Sequence, residues 1–345
     1  MTAKNMKAVV IREPGGPEVL KIEELPIPTP ISGWVLIRVK AFGLNRSEMY
    51  TRQGHSPSVA FPRVLGIEAV GVVEAAPGGE FKPGDLVATA MGEMGRAFDG
   101  GYAEFTLVPS GQVQKIKSSL SWEVLGALPE MVQTAWGALH KALRLTGTET
   151  VLIRGGTSSV GLTAALLAKE VGATVISTTR KPERLDLLRE NGADHVVLET
   201  GEIAGDIRDI CTHGVDKVLE LVGTKTLADS LQATAVGGIV AMTGVLGNEW
   251  VLRDFAPMDV IPTGVNLTIY GGGADDFIAT PLQSVIDVIE HGRMFPPLGP
   301  VFGIDDIVSA HRAMDHDQAA GKIVVMTSAR SAPSSLQPAK GDQYA

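Results

Sequence analysis

The spacing of apolar and polar positions changes character near residue 120. Before it, short apolar runs with partial period-two alternation at 35–42, 69–74 and 86–89 read as strands. Pro14-Gly15-Gly16, Pro26-Ile27-Pro28, Pro77-Gly78-Gly79 and Pro83-Gly84-Asp85 separate such runs as turns. Short strands at close spacing predict a small barrel or sandwich over residues 6–110. From 122 to 145 the pattern turns helical. A β–α alternation follows, with strands at 151–154, 174–178, 194–198, 216–221, 238–245 and 267–270. Helices start at Gly161 and cover 182–191 and 227–235 between them. Repeated β–α units predict a parallel sheet covered by helices. Helices over 280–291 and around 304–316 and a strand at 322–327 close the fold, and residues 328–345 read as a flexible polar tail.

The strand at 151–154 runs into Gly155-Gly156-Thr157-Ser158-Ser159-Val160-Gly161 and then into a helix. Gly156 to Gly161 fill a G-x-G-x-x-G frame with Ser158 in the middle glycine position. Glycines let the backbone approach a pyrophosphate, and the helix N-terminus offers free N–H groups. A purely structural strand–helix turn is the competing reading. The run is not a P-loop, since no Gly-Lys-Ser/Thr follows. It is not a nucleophile elbow either, since Val160 stands where that motif needs glycine. The next strand leads into Thr179-Arg180-Lys181, without the carboxylate that would bind a ribose 2′-hydroxyl. A 2′-phosphate would instead be paired by Arg180 and hydrogen-bonded by Thr179. This predicts NADPH, against the reading of Arg180 and Lys181 as solvated loop charges.

The chain's 345 residues suggest two domains. A net charge of −9 and the lack of any basic block argue against a nucleic-acid or anionic-membrane surface. The single cysteine, Cys211, excludes an internal disulfide and a cysteine-rich metal site. No apolar run reaches the ~18–20 residues of a membrane span, and the N-terminal apolar stretch is too short for a secretory signal. A cytoplasmic location is the expectation.

Several motifs occur in one order: Met6-Lys-Ala-Val-Val10, Gly43-Leu-Asn-Arg-Ser-Glu48, Gly66-Ile-Glu-Ala-Val-Gly71, Pro83-Gly-Asp85, Gly101-Tyr-Ala-Glu104, Thr134-Ala-Trp136, Gly192-Ala-Asp-His195 and Gly321-Lys-Ile-Val324. Across residues 6–327 the chain resembles the medium-chain dehydrogenase/reductase superfamily, and within it the zinc-free quinone oxidoreductases of the zeta-crystallin type. The resemblance implies an α/β fold: a GroES-like, β-rich catalytic domain (1–130, completed by 273–327) around a doubly wound Rossmann domain (131–272). It also implies a homodimer through the sheet edge near 267–270. Zinc-dependent members carry Cys where Asn45 stands, His at Ile67 and commonly Cys at Glu130. Asn, Ile and Glu cannot form that catalytic zinc site, so the expectation is a metal-free protein. Without a Lewis acid, alcohol oxidation is disfavoured. A quinone or enone that takes hydride and spreads charge onto oxygen needs less help. An NADPH-dependent quinone or enone reductase is therefore the leading expectation. A non-catalytic, crystallin-like NADPH-binding protein and, less favoured, a zinc alcohol dehydrogenase are the alternatives.

By the same resemblance Asn45 lies beside the nicotinamide, where a turn-forming Asn is the other reading. Thr134 touches the nicotinamide face or is a plain helix-interior Thr. The run from Gly155 to Gly161, with Thr157, Ser158, Ser159 and Val160, holds the pyrophosphate. Val222, Val245 and Leu246 line the nicotinamide-ribose side. Lys322 reaches the pyrophosphate or is an exposed strand-start Lys. Tyr50 is a candidate proton donor, or else a packing aromatic. Glu48 and Arg52, four apart on a short helix, are candidates for an ion pair. Mitochondrial-type enoyl thioester reductases place a Tyr donor where this chain has Ser56, and His55 reads as a solvated loop residue.

Overall fold

The computed structural model describes residues 4–316 and 321–328, so the tail expected over 328–345 lies almost entirely outside the described residues. The first half holds eight strands: β1 (Asn5–Ile11), β2 (Lys21–Pro26), β3 (Trp34–Gly43), β4 (Arg63–Val64), β5 (Glu68–Ala75), β6 (Leu86–Ala90), β7 (Phe105–Pro109) and β8 (Val113–Lys115). β1 pairs antiparallel with β2 and β4. β3 carries β5 on one edge and β7 on the other.

The second sheet is wholly parallel: β9 (Thr150–Arg154), β10 (Thr174–Thr179), β11 (His195–Leu198), β12 (Val215–Glu220), β13 (Thr234–Met242) and β14 (Asn266–Ile269). Its order is β11-β10-β9-β12-β13-β14, so direction of travel reverses between β9 and β12. In open α/β sheets a crevice for ligand opens at the carboxyl ends of the strands at such a reversal. The chain then returns to the first half. β15 (Leu298–Gly303) pairs with β16 (Lys322–Met326), and β16 pairs with the end of β3 at Ala41–Gly43. That pairing brings Lys322 beside Gly43, 279 positions earlier in the chain.

The helices that matter to the crevice are α1 (Arg46–Arg52), α2 (Trp122–Gly137) and α3 (Ser159–Glu170). Ser121 caps α2 through its hydroxyl. Leu125, Leu128, Met131, Val132 and Ala135 of α2 share one apolar core with Ala41, Val324, Ile153 and Leu162. This one helix therefore ties both sheets together, and the expected 130/131 boundary falls inside it. No helix among the described residues is long and apolar enough to cross a membrane.

Several local expectations are corrected. The helix expected over 122–145 stops at Gly137, and a π-helical turn, Ala138–Ala142, follows. The helix expected at 227–235 spans Thr224–Gln232, and β13 starts at Thr234 rather than Gly238. Val215 pairs with Thr234 but Lys217 with Ile239. The intervening residues bulge out at Gly237, whose positive φ suits glycine. A short helix at Ala204–Ile210 was not anticipated.

Candidate active site

A cleft of about 850 Å³ opens between the two halves at the reversal point. On the Rossmann side, β9 ends at Arg154 and the chain turns at Gly155 (φ +82°). A Cβ at Gly156 would collide with Ser177 Oγ, and one at Gly161 would meet Gly155 O at 2.6 Å. These two glycines let the turn pack against the sheet and do not themselves face the cleft. Gly155, Thr157, Ser158, Ser159 and Val160 do. Ser158, in the middle glycine position, caps α3. Its Oγ accepts from Gly161 N at 3.1 Å and donates to Gly155 O at 2.8 Å.

Thr179, Arg180 and Lys181 line the same cleft, together with Val222, Val245 and Leu246. The Lys181 N–H donates to Thr179 Oγ1 at 3.2 Å. Arg184 and Lys225, not singled out from sequence, add two cations to this wall. Behind it, the Glu220 carboxylate accepts from Val222 N (2.7 Å) and Gly223 N (2.9 Å), which fixes the loop after β12.

The opposite wall holds a buried polar cluster. Asn45 is the N-cap residue of α1, but its side chain does not cap the helix. Its amide donates to Glu68 Oε1 (2.9 Å) and Glu48 Oε1 (3.3 Å). The Lys322 ammonium donates to Asn45 Oδ1. It also lies 2.8 Å from Glu68 Oε1 and 3.0 Å from Glu130 Oε2. Thr134 donates to Glu130 Oε1 at 2.8 Å. Beside Pro129, which has no N–H to give, the Glu130 N–H donates to Glu68 Oε2 at 2.8 Å. A Cβ at Gly43 would collide with both Lys322 Cε and Glu68 Oε1, so glycine makes the room for this cluster. Lys322 is thus not an exposed strand-start residue: it is 2% exposed, and its ammonium is taken up by Asn45, Glu68 and Glu130. Burial opposes its charge, but the Glu68 and Glu130 carboxylates outweigh that and raise its pKa above the ordinary lysine value.

Glu48 accepts the Ile67 N–H at 3.0 Å, and its Oε2 is buried without a partner. Desolvation, with the Glu68 charge adding, pushes its pKa up to about 7. It does not pair with Arg52, which is held by Asp315 at 2.7 Å. The ordinary carboxyl value is 4.5, so over about pH 4.5–7 the folded chain keeps a proton that the unfolded chain gives up. The stability this group contributes is complete below pH 4.5 and is lost as pH rises through 7, on the order of 3 kcal/mol. In Glu48→Gln, urea unfolding should show a flatter stability profile between pH 5 and 8 than in the native chain. Parallel profiles would contradict this assignment.

Tyr50 lines the cleft, and its hydroxyl donates to Val245 O at 2.6 Å and lies 2.9 Å from Asn248 Oδ1. Its ring and that of Trp250 meet in a T-shaped pair, centroids 4.8 Å apart. In this arrangement its proton is committed to the Rossmann loop. Ser56 lines the cleft, and its hydroxyl lies 2.9 Å from that of Thr51. His55 is exposed. No group of three His, Cys, Asp or Glu side chains among the described residues is placed to hold a metal ion. Of the cluster, sequence reasoning missed Glu68, although a carboxylate inside the apolar run Ile67–Val73 was a readable signal.

Two family models match: an alcohol dehydrogenase GroES-like domain over residues 31–118 and a zinc-binding dehydrogenase over 159–285. The rat quinone oxidoreductase is 32% identical, covering 94% of this chain and 98% of its own. A 2-haloacrylate reductase of a Burkholderia species is 28% identical over 93% of this chain and 99% of its own. A mycobacterial protein solved with NADPH superposes with a TM-score of 0.82 at 27% identity, covering 93% and 99%. Together with the parallel sheet, the glycine turn and the cleft, these likenesses mean that the chain belongs to the quinone oxidoreductase branch of the medium-chain dehydrogenase/reductase superfamily, as a nicotinamide-dependent oxidoreductase.

Proposed function

We propose that the chain is an NADPH-dependent reductase of quinones or α,β-unsaturated carbonyls that works without a metal ion. The observation that carries this reading is the ammonium of Lys322. It is held between Glu68 and Glu130 and on Asn45, in a wall of the cleft where zinc-dependent relatives are expected to place metal ligands. The dinucleotide fits the other wall. Gly155 and the residues from Thr157 to Val160 would take the pyrophosphate, and Arg180, Lys181 and Arg184 the 2′-phosphate. NADPH, when bound, supplies the hydride. Lys322 keeps a permanent positive charge near the acceptor, which favours the oxyanion that develops there. Asn45, Glu130 and Thr134 fix that ammonium and the floor of the site. The NADPH-bound mycobacterial neighbour supports the choice of cofactor, and the acrylate-reducing relative supports a conjugated acceptor.

The test is NADPH consumption with 1,4-benzoquinone, 9,10-phenanthrenequinone and simple enones. Turnover is expected with at least one of these, and NADPH binding without turnover on any would sink the proposal in favour of a non-catalytic role. For the phosphate, Arg180→Ala should weaken NADPH ~10- to 100-fold, the worth of a charged hydrogen bond, with little effect on NADH. Equal losses for both cofactors would refute that role. A homodimer through β14 belongs to the same reading. β14 is a sheet edge with Leu267 and Ile269 outward, Ile269 being 73% exposed. Ile269→Asp is expected to turn a dimer into a monomer in analytical ultracentrifugation, and an unchanged mass would remove this edge as the interface. A cytoplasmic setting without nucleic-acid partners fits the acidic charge and the single cysteine.

A further inference from the structure

The chain is acidic, with 39 Asp and Glu against 30 Lys and Arg, yet the cleft is not. Among the described residues, seven basic side chains and two carboxylates line it. Arg180, Lys181, Arg184 and Lys225 stand on the Rossmann wall, where the phosphates of a dinucleotide account for them. Arg96 stands on the other wall, with Asn45 and Ser47.

Its position is built, not incidental. Arg96 lies on the loop between β6 and β7, which turns through positive φ at Met91, Gly92, Glu93 and Gly95. Met94 is fully buried beneath it. A Cβ at Gly95 would meet the Gly66 backbone at 2.8 Å, so the loop is seated directly on the chain leading to Glu68. From there Arg96 Nη2 donates to Ser47 Oγ at 2.6 Å, two residues beyond Asn45. Its Nε is buried with no hydrogen-bond partner, and no ion pair joins Arg96 to any described carboxylate, exposed Glu93 included. An arginine kept partly buried with an unused donor, in a protein rich in carboxylates, is costly unless something fills it. A guanidinium fork matches a carboxylate better than any other common group.

We propose that Arg96 binds a carboxylate carried by the acceptor, so that the enzyme prefers anionic conjugated carbonyl compounds to neutral ones. This rests on the reductase reading above. In the reaction, hydride forms a C–H bond at the β-carbon and the C=C π pair shifts toward the carbonyl. A proton from water completes the α-carbon, while NADPH is oxidised to NADP⁺. Arg96 takes no part in these bond changes; it selects and orients the acceptor.

The experiment compares trans-4-oxo-2-pentenoate with its methyl ester as NADPH-consuming substrates. For the native enzyme kcat/KM should favour the acid at least tenfold. Arg96→Met should collapse that ratio toward one, mainly through KM for the acid, and Arg96→Lys should restore part of it. Levulinate should compete with the acid in the native enzyme, and methyl levulinate should not, which tests the site without any variant. Turnover of the ester with no preference for the acid would overturn this inference alone. So would an Arg96→Met that lowers both substrates equally. Failure to turn over either compound, or any quinone, would instead strike the reductase reading.

Discussion

Lys322→Met is expected to destabilise the protein by roughly 3–5 kcal/mol and to remove most of its activity. Among the described residues the ammonium is the only cation in contact with Glu68 and Glu130, and Glu68 is fully buried. Removing it leaves carboxylates in a site that solvates them poorly. Burial already raises the pKa of Glu68 against the pull of Lys322, so without Lys322 this carboxyl is expected to take up a proton. The loss should therefore be larger at pH 8 than at pH 5. Adding Glu68→Gln to Lys322→Met should recover part of the stability, because the double variant no longer buries the Glu68 charge and only the less buried Glu130 is left without its cation. It should not recover activity, since the positive charge near the acceptor is gone. Urea unfolding and steady-state kinetics of the four proteins of this cycle read both effects. A Lys322→Met that unfolds within about 1 kcal/mol of the native chain would mean that the cluster does not hold its charges as described.

Arg154→Leu is expected to cost a similar ~3–5 kcal/mol, with weaker NADPH binding beside it. Arg154 ends β9 and its side chain is fully buried. Nε and Nη2 donate to Glu199 at 2.9 and 2.6 Å, and Nη1 donates to Asp229 at 2.6 Å. The remaining donors meet the Thr226 and Gly201 carbonyls and Ser230 Oγ. One side chain thus fastens the strand before the glycine turn to the loop after β11 and to the helix after β12. Leu fills much of the volume but leaves Glu199 and Asp229 without their shared cation. Because Gly155 is the next residue, slack here reaches the pyrophosphate turn directly. A variant that unfolds like the native chain, or that keeps its full NADPH affinity, would show that the turn is held by other contacts.

How much of this was legible in the sequence depends on the range of the contacts involved. The glycine turn was, because a strand, a turn and a helix start occupy consecutive residues from Val151 to Gly161 and their signals are local. Asn45 and Ile67 could be picked out as site positions because each stands inside a short motif, 43–48 and 66–71. The partner of these residues could not. Lys322 meets Asn45 across 277 positions through the β3–β16 pairing, and nothing local to Gly321-Lys-Ile-Val distinguishes a buried lysine from an exposed one. Arg96 was hidden for a related reason, since the loop 91–99 has no periodicity and its shape depends on Gly66 behind it. The helix Ala204–Ile210 is short and carries a glycine, so its pattern falls below what periodicity detects. Arg154 read as the polar end of a strand, and only the loop after β11 and the helix after β12, both reaching its side chain, make it a buried hub.

The proposed reaction is hydride transfer to a conjugated acceptor with no metal ion. It is met most directly by single-turnover reduction of an enone with NADPH deuterated on its transferable C4 position. The protein is first stripped by a strong chelator and its zinc content measured. One deuterium in the saturated product, at an undiminished rate in the stripped protein, is the predicted result. A product without deuterium, or a rate that disappears on chelation and returns with zinc, would contradict it.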